Sequence, residues 1–162
     1  MKLPTLLPAM ALIALLSFSC STDTIGDQIA EVSNYVPQTK ANEVEILELI
    51  NNYRITKGLT PLHNMSIIKA QAYGHTEYML EKDEVSHANF YQRKKNLIDN
   101  AGAVSVAENV AYAFSTPESV VNAWINSEGH RHNIEGDYTD FDISAEKDAD
   151  GKWYYTNIFI KK

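Results

Sequence analysis

The sequence predicts an α+β domain in which helices cover an antiparallel sheet. Three observations predict it. Segments with helical apolar spacing come early, between residues 43 and 82. The chain closes on two strand-like runs, FDISAE and WYYTNIFIK, joined by the turn signal KDADGK. The last run is apolar on both faces, with Trp153, Tyr155 and Phe159 on one side and Tyr154, Ile158 and Ile160 on the other. That pattern belongs to an interior strand with a layer packed against each face.

The first 20 residues, MKLPTLLPAMALIALLSFSC, are a separate object. One lysine precedes an apolar run broken by Pro4 and Pro8, and small residues lead to Cys20, the layout of a secretory signal peptide over 1–19. The run is short for a spanning helix of about 20 residues. Cys20 is the only cysteine, so no intramolecular disulfide can form. Its place at the end of the signal resembles a bacterial lipoprotein signal, in which the cysteine is lipidated and becomes the first mature residue. The expectation is export to the cell envelope, anchored through Cys20 on the periplasmic or outer surface; without that lipid the protein would be secreted. Residues 20–42 read as the lipidated terminus and a flexible tether, and 43–162 as the domain.

Within the domain, EVEILELINNYRITKG sets Ile46, Leu47, Ile50 and Tyr53 on one helical face, with Asn42 as the expected N-cap and Gly58 as the stop. LTPLHN is a turn. A second helix is expected from Ser66 to Lys82, with Ile68, Ala72, His75 and Met79 on its apolar stripe. Residues 83–105 read as a long loop holding at most one short helix, and Arg93, Lys94 and Lys95 as a solvated run. VAENVAYAF reads as a short buried strand. STPESVVNAWINS reads as a helix capped by Ser115 or Thr116, with Pro117 at its first position.

The chain has 162 residues, is 44% hydrophobic and 22% charged, and carries a formal charge of −7. Such a chain forms one globular domain and lacks the basic face that a nucleic-acid binder needs. It contains no HExxH, no GxSxG and no phosphate loop. What remains is a scattered polar set: His87, Glu108 and the pair His130 and His132 in SEGHRHNI. Two imidazoles and a carboxylate suit either a metal centre or metal-free acid–base work. Positions i and i+2 do not share a helix face, so one of His130 and His132 is expected to face a pocket and the other to face away.

The order of motifs, EILELINNYR, then SH, AENVAY, WINSEGHRHNI and YYTNIFIK, resembles the CAP superfamily (the SCP domain of cysteine-rich secretory, antigen 5 and pathogenesis-related proteins), and its bacterial disulfide-free branch in particular. The resemblance covers about residues 43–160 and implies a three-layer α-β-α sandwich with a central, mainly antiparallel sheet. It implies a cleft in which His87, Glu108 and His130 occupy the family's histidine and glutamate positions, with Asn109, Arg131 and Asn133 in support. In some members that cleft binds a divalent metal such as zinc, which places His87 and His130 as metal ligands here. Two departures stand out: Ala107 replaces a glycine, and Ser127 stands where other branches carry a second glutamate, with Glu128 one residue later as its possible replacement. Three functions stay open: an envelope module binding a lipid, glycan or protein; a metal-dependent, peptidase-like hydrolase using His87, Glu108 and His130; and a structural lipoprotein whose cleft only braces the fold. The protein is expected to be a monomer, with no nucleic-acid partner and with membrane attachment only through lipid.

Overall fold

A computed structural model describes residues 35–162; the expected signal segment and Cys20 lie outside them. The elements are α1 (Ala41–Thr56), β1 (His63–Asn64), α2 (Ser66–Lys82), α3 (Phe90–Ala101), β2 (Ser105–Tyr112), α4 (Pro117–Asn126), α5 (Glu128–Glu135), β3 (Asp140–Lys147) and β4 (Trp153–Lys161). The sheet order is β1-β3-β4-β2. β4 is antiparallel to both its neighbours, and the two-residue β1 runs parallel to β3.

Strand alternation builds the layers. Phe141, Ile143, Ala145, Tyr155 and Phe159 join Ile46, Leu47 and Ile50 of α1, Val120, Val121 and Trp124 of α4, and Ile134 of α5 in one core. Val106, Ile158 and Ile160 turn to the other face and meet Ile68 and Ala72 of α2 and Leu97 of α3. Met79, Val110 and Tyr154 extend that second layer. The result is the expected α-β-α sandwich, and β4, an interior strand between β3 and β2, is buried on both sides because a helical layer covers each face.

Both outer edges of the sheet are closed by side chains. Beyond β1, the free edge of β3 is met by Lys69 Nζ donating to Ile143 O (2.7 Å) and by Glu43 Oε1 accepting from Ala145 N (2.8 Å). Lys69 and Glu43 are fully buried and paired at 2.6 Å, so one ion pair ties α1 and α2 to this edge. On β2, Trp124 Nε1 donates to Val110 O (3.2 Å) and Asn133 Nδ2 donates to Glu108 O (3.2 Å). An unpaired strand edge is a template for aggregation, and these contacts cover it.

Three expectations change. α1 starts at Ala41 with Lys40 as its N-cap in place of Asn42: Glu43 reaches back to accept from Lys40 N (2.7 Å), and Lys40 Nζ binds Ala145 O. The domain therefore takes in residues assigned to the tether, including the buried Pro37. The expected loop at 83–105 contains a 12-residue helix, α3, because Phe90, Arg93, Leu97 and Ala101 share one stripe. EGHRHNIE forms α5, a helix with no periodic signal in the sequence, separated from α4 by the extended residue Ser127. The Thr116 cap stands: its hydroxyl accepts from Ser119 N (3.2 Å).

Candidate functional site

The site lies at the β2 edge, where the two helical layers meet. Glu108 sits on β2 with its side chain turned toward α2 and α3, one residue out of phase with Asn109, which faces the α4–α5 layer. Its carboxylate is 1% exposed. Arg93 of α3 grips it in two-pronged fashion, Nε to Oε2 and Nη2 to Oε1, both 2.8 Å. His87 Nδ1 meets Oε1 at 2.8 Å while its ring stays about half exposed. His75 Nε2 lies 3.8 Å from the same oxygen.

The residues that hold Glu108 also position His87. His75 Nε2 donates to Ser86 O (2.7 Å), and Arg93 Nη1 donates to Ala88 O (2.7 Å). The carbonyls on either side of His87 are thus both clamped, and the loop presents its imidazole at the mouth of the site. Asn89, at φ 58°, turns the chain from this loop into α3, a conformation asparagine tolerates better than most residues.

His130 comes from the opposite layer, on α5. Its Nδ1 meets Ser127 Oγ at 2.9 Å, so the serine at the position of the absent second acid serves to orient the imidazole. Asn109, fully buried, donates through Nδ2 to His130 O (3.1 Å) and accepts from Asn133 Nδ2 (2.8 Å). Arg131 Nη1 donates to Ile125 O (2.9 Å) and braces the α4–α5 junction. Asn109, Arg131 and Asn133 therefore tie α5 to β2 and to the end of α4. His132 is exposed, and Glu128 is exposed at the first position of α5 and joins none of these bonds.

Electrostatics follow from burial and pairing. Burial pushes the Glu108 carboxyl up, but the hydrogen bonds from His87 and Arg93 and the guanidinium charge outweigh it and hold the group below its ordinary value. Burial, then the Arg93 charge, lowers His75. With Nε2–H donating to Ser86, its buried Nδ1 has no partner, so a proton there would find no acceptor. Burial lowers His130, and the charge of His87 adds to the effect, which places the two rings in one field.

As a donor set for a divalent metal, these residues fit poorly. Both Glu108 oxygens are engaged by a guanidinium. His87 and His130 use Nδ1 on Glu108 and Ser127, which leaves one Nε2 on each ring. Among the described residues no group of three or more His, Cys, Asp or Glu is arranged to hold a metal. A divalent ion about 4 Å from the guanidinium would meet roughly 8 kcal/mol of repulsion at an effective dielectric near 20.

Sequence reasoning missed Arg93 and the link from His75 to Glu108. The signal for Arg93 was its spacing, three residues after Phe90 and four before Leu97, hidden in the basic run RKK.

A three-layer sandwich with a cleft of histidine and glutamate at a covered sheet edge defines the class. The chain belongs to the CAP family, the cysteine-rich secretory protein family, whose model matches residues 47–159. It is 32% identical over 125 residues to the uncharacterized membrane protein YlbC of Bacillus subtilis (strain 168), covering 75% of this chain and 35% of that one. It is 35% identical over 97 residues to the uncharacterized protein YkwD of the same organism, covering 58% and 38%. The chain thus spans little more than a third of the length of these relatives. Among solved structures it is similar to an outer surface protein from Borrelia burgdorferi (TM-score 0.70, 20% identity, 79% of this chain and 98% of that one). It is also similar to an extracellular SCP-domain protein from Bacillus anthracis str. Ames (TM-score 0.65, 26% identity, 78% and 45%).

Proposed function

We propose that this chain is an exported binding module, held at the cell envelope by a lipidated Cys20, whose cleft captures an extracellular lipid, glycan or protein group without turning it over. The observation that carries the reading is the state of Glu108. A carboxylate bound at both oxygens by Arg93 and His87 is not available as a general base. The hydroxyl nearest an imidazole, that of Ser127, bonds His130 within one helical turn, and among the described residues no carboxylate bonds the other nitrogen of that ring, as an activated serine needs. The partly exposed His87 and half-buried His130 supply the polar contacts of a rigid recognition surface. Surface and extracellular proteins among the structural neighbours support export.

Isolated envelope fractions, membranes and sacculi, provide the test. The His87→Ala/His130→Ala chain is expected to bind them about tenfold more weakly with its fold intact. Equal binding contradicts the reading, and so does steady casein hydrolysis that vanishes in His130→Ala. For the anchor, Cys20→Ser is expected to move the protein from the membrane fraction to the soluble fraction; a variant that stays in the membrane rules the lipid out.

A further inference from the structure

We propose that Arg93 is the built-in cation of this cleft: its guanidinium occupies the place a divalent metal would take on Glu108, so the native cleft is closed to metal, and removing Arg93 opens it. The inference rests on the site described above and not on the identity of the ligand.

The geometry is specific. Arg93 is 8% exposed in its side chain and uses Nε and Nη2 on the two Glu108 oxygens. This covers the carboxylate edge that a metal would approach. His87 Nδ1 meets Oε1 at 2.8 Å, whereas His75 Nε2, 3.8 Å from that oxygen, keeps its proton on Ser86 O and has no lone pair to offer. The donors that Arg93 blocks are therefore the Glu108 carboxylate and the neighbouring His87 imidazole, groups that bind zinc, with water filling the other positions, once no guanidinium covers them. Arginine suits the blocking role because its fork matches both oxygens and it stays charged at any relevant pH. Its third donor group, Nη1 on Ala88 O, locks the occupant to the loop that carries His87, so the guanidinium is not a side chain that swings away.

The experiment is a zinc titration by calorimetry, with thermal unfolding in parallel, on the full chain carrying Cys20→Ser so that the lone thiol cannot bind zinc. The unsubstituted cleft is expected to show no zinc binding beyond that of its His87→Ala/His130→Ala counterpart. Arg93→Ala is expected to bind zinc about tenfold or more tighter, with a zinc-dependent rise in the thermal midpoint. Arg93→Ala/Glu108→Gln, which removes both charges, is expected to lose that gain. The inference is overturned if the native cleft binds zinc in a way that His130→Ala abolishes. It is also overturned if zinc neither binds nor stabilises Arg93→Ala, or if the gain survives Glu108→Gln. Each of these outcomes leaves the binding reading separately testable on the envelope fractions.

Discussion

At residue scale, two buried carboxylates respond to pH in opposite directions. Glu108 is held below its ordinary value, so its contribution is complete near neutrality and is lost as pH falls through its folded value. His75 adds to the same acid sensitivity: it is buried neutral, and the unfolded chain takes up its proton below about pH 6.5. Asp142 behaves the other way. Burial raises its carboxyl to about 6, against the bonds from Ile143 N and Met65 N and the charge of Lys69. The folded form binds the proton more tightly, so its contribution is present below about pH 4 and lost as pH rises through about 6. Relative to Asp142→Asn, the native chain is expected to lose roughly 2 kcal/mol of stability between pH 4 and pH 7, levelling above pH 6. Urea unfolding at a series of pH values measures this, and a difference that does not vary with pH contradicts it. The residues His87, Glu108 and His130 were legible because they sit in motifs of a known order. Arg93 was not, because a charge in the run RKK is ordinarily solvated, and only the position of Glu108 across the layer makes its burial favourable.

At element scale, legibility follows apolar periodicity. α2 was readable to its ends because Ile68, Ala72, His75 and Met79 form an unbroken buried stripe. β4 was readable because both its faces are apolar, and it proved to be an interior strand. α3 was hidden because Arg93, a charged residue, occupies one of its buried positions. α5 was hidden because EGHRHNIE buries only Ile134 and otherwise consists of polar residues and a glycine. Its helical state is fixed by its neighbours: Asn133 and, from α4, Trp124 must reach the β2 edge to satisfy Glu108 O and Val110 O. β1, with two residues and no buried side chain, has no sequence signature at all. It pairs parallel to β3, with His63 opposite Asp140 and Asn64 opposite Phe141. The helix termini show the same division. Thr116 and Pro117 announce α4 locally, whereas Lys40 becomes the cap of α1 only because Glu43 is pinned between Lys69 and Ala145.

At the scale of the whole molecule, the fold and the cleft have one origin. Two layers pack on a four-stranded sheet, the β2 edge is left where they meet, and side chains from both layers close it. Those from α4 and α5 supply His130 and its asparagine supports; those from α2, α3 and the intervening loop supply His75, Arg93 and His87. Glu108 lies between them with its backbone tied to one layer and its carboxylate tied to the other. The proposed recognition role rests on that carboxylate being held as a buried ion pair and not free for chemistry. A double-mutant cycle of Arg93→Met and Glu108→Gln, read by urea unfolding at pH 7, tests this most directly. Each single variant leaves a buried group without its partner and is expected to cost about 3–5 kcal/mol, while the double variant costs less than their sum by about 2 kcal/mol or more. Costs that add to within about 0.5 kcal/mol would contradict a buried, coupled pair.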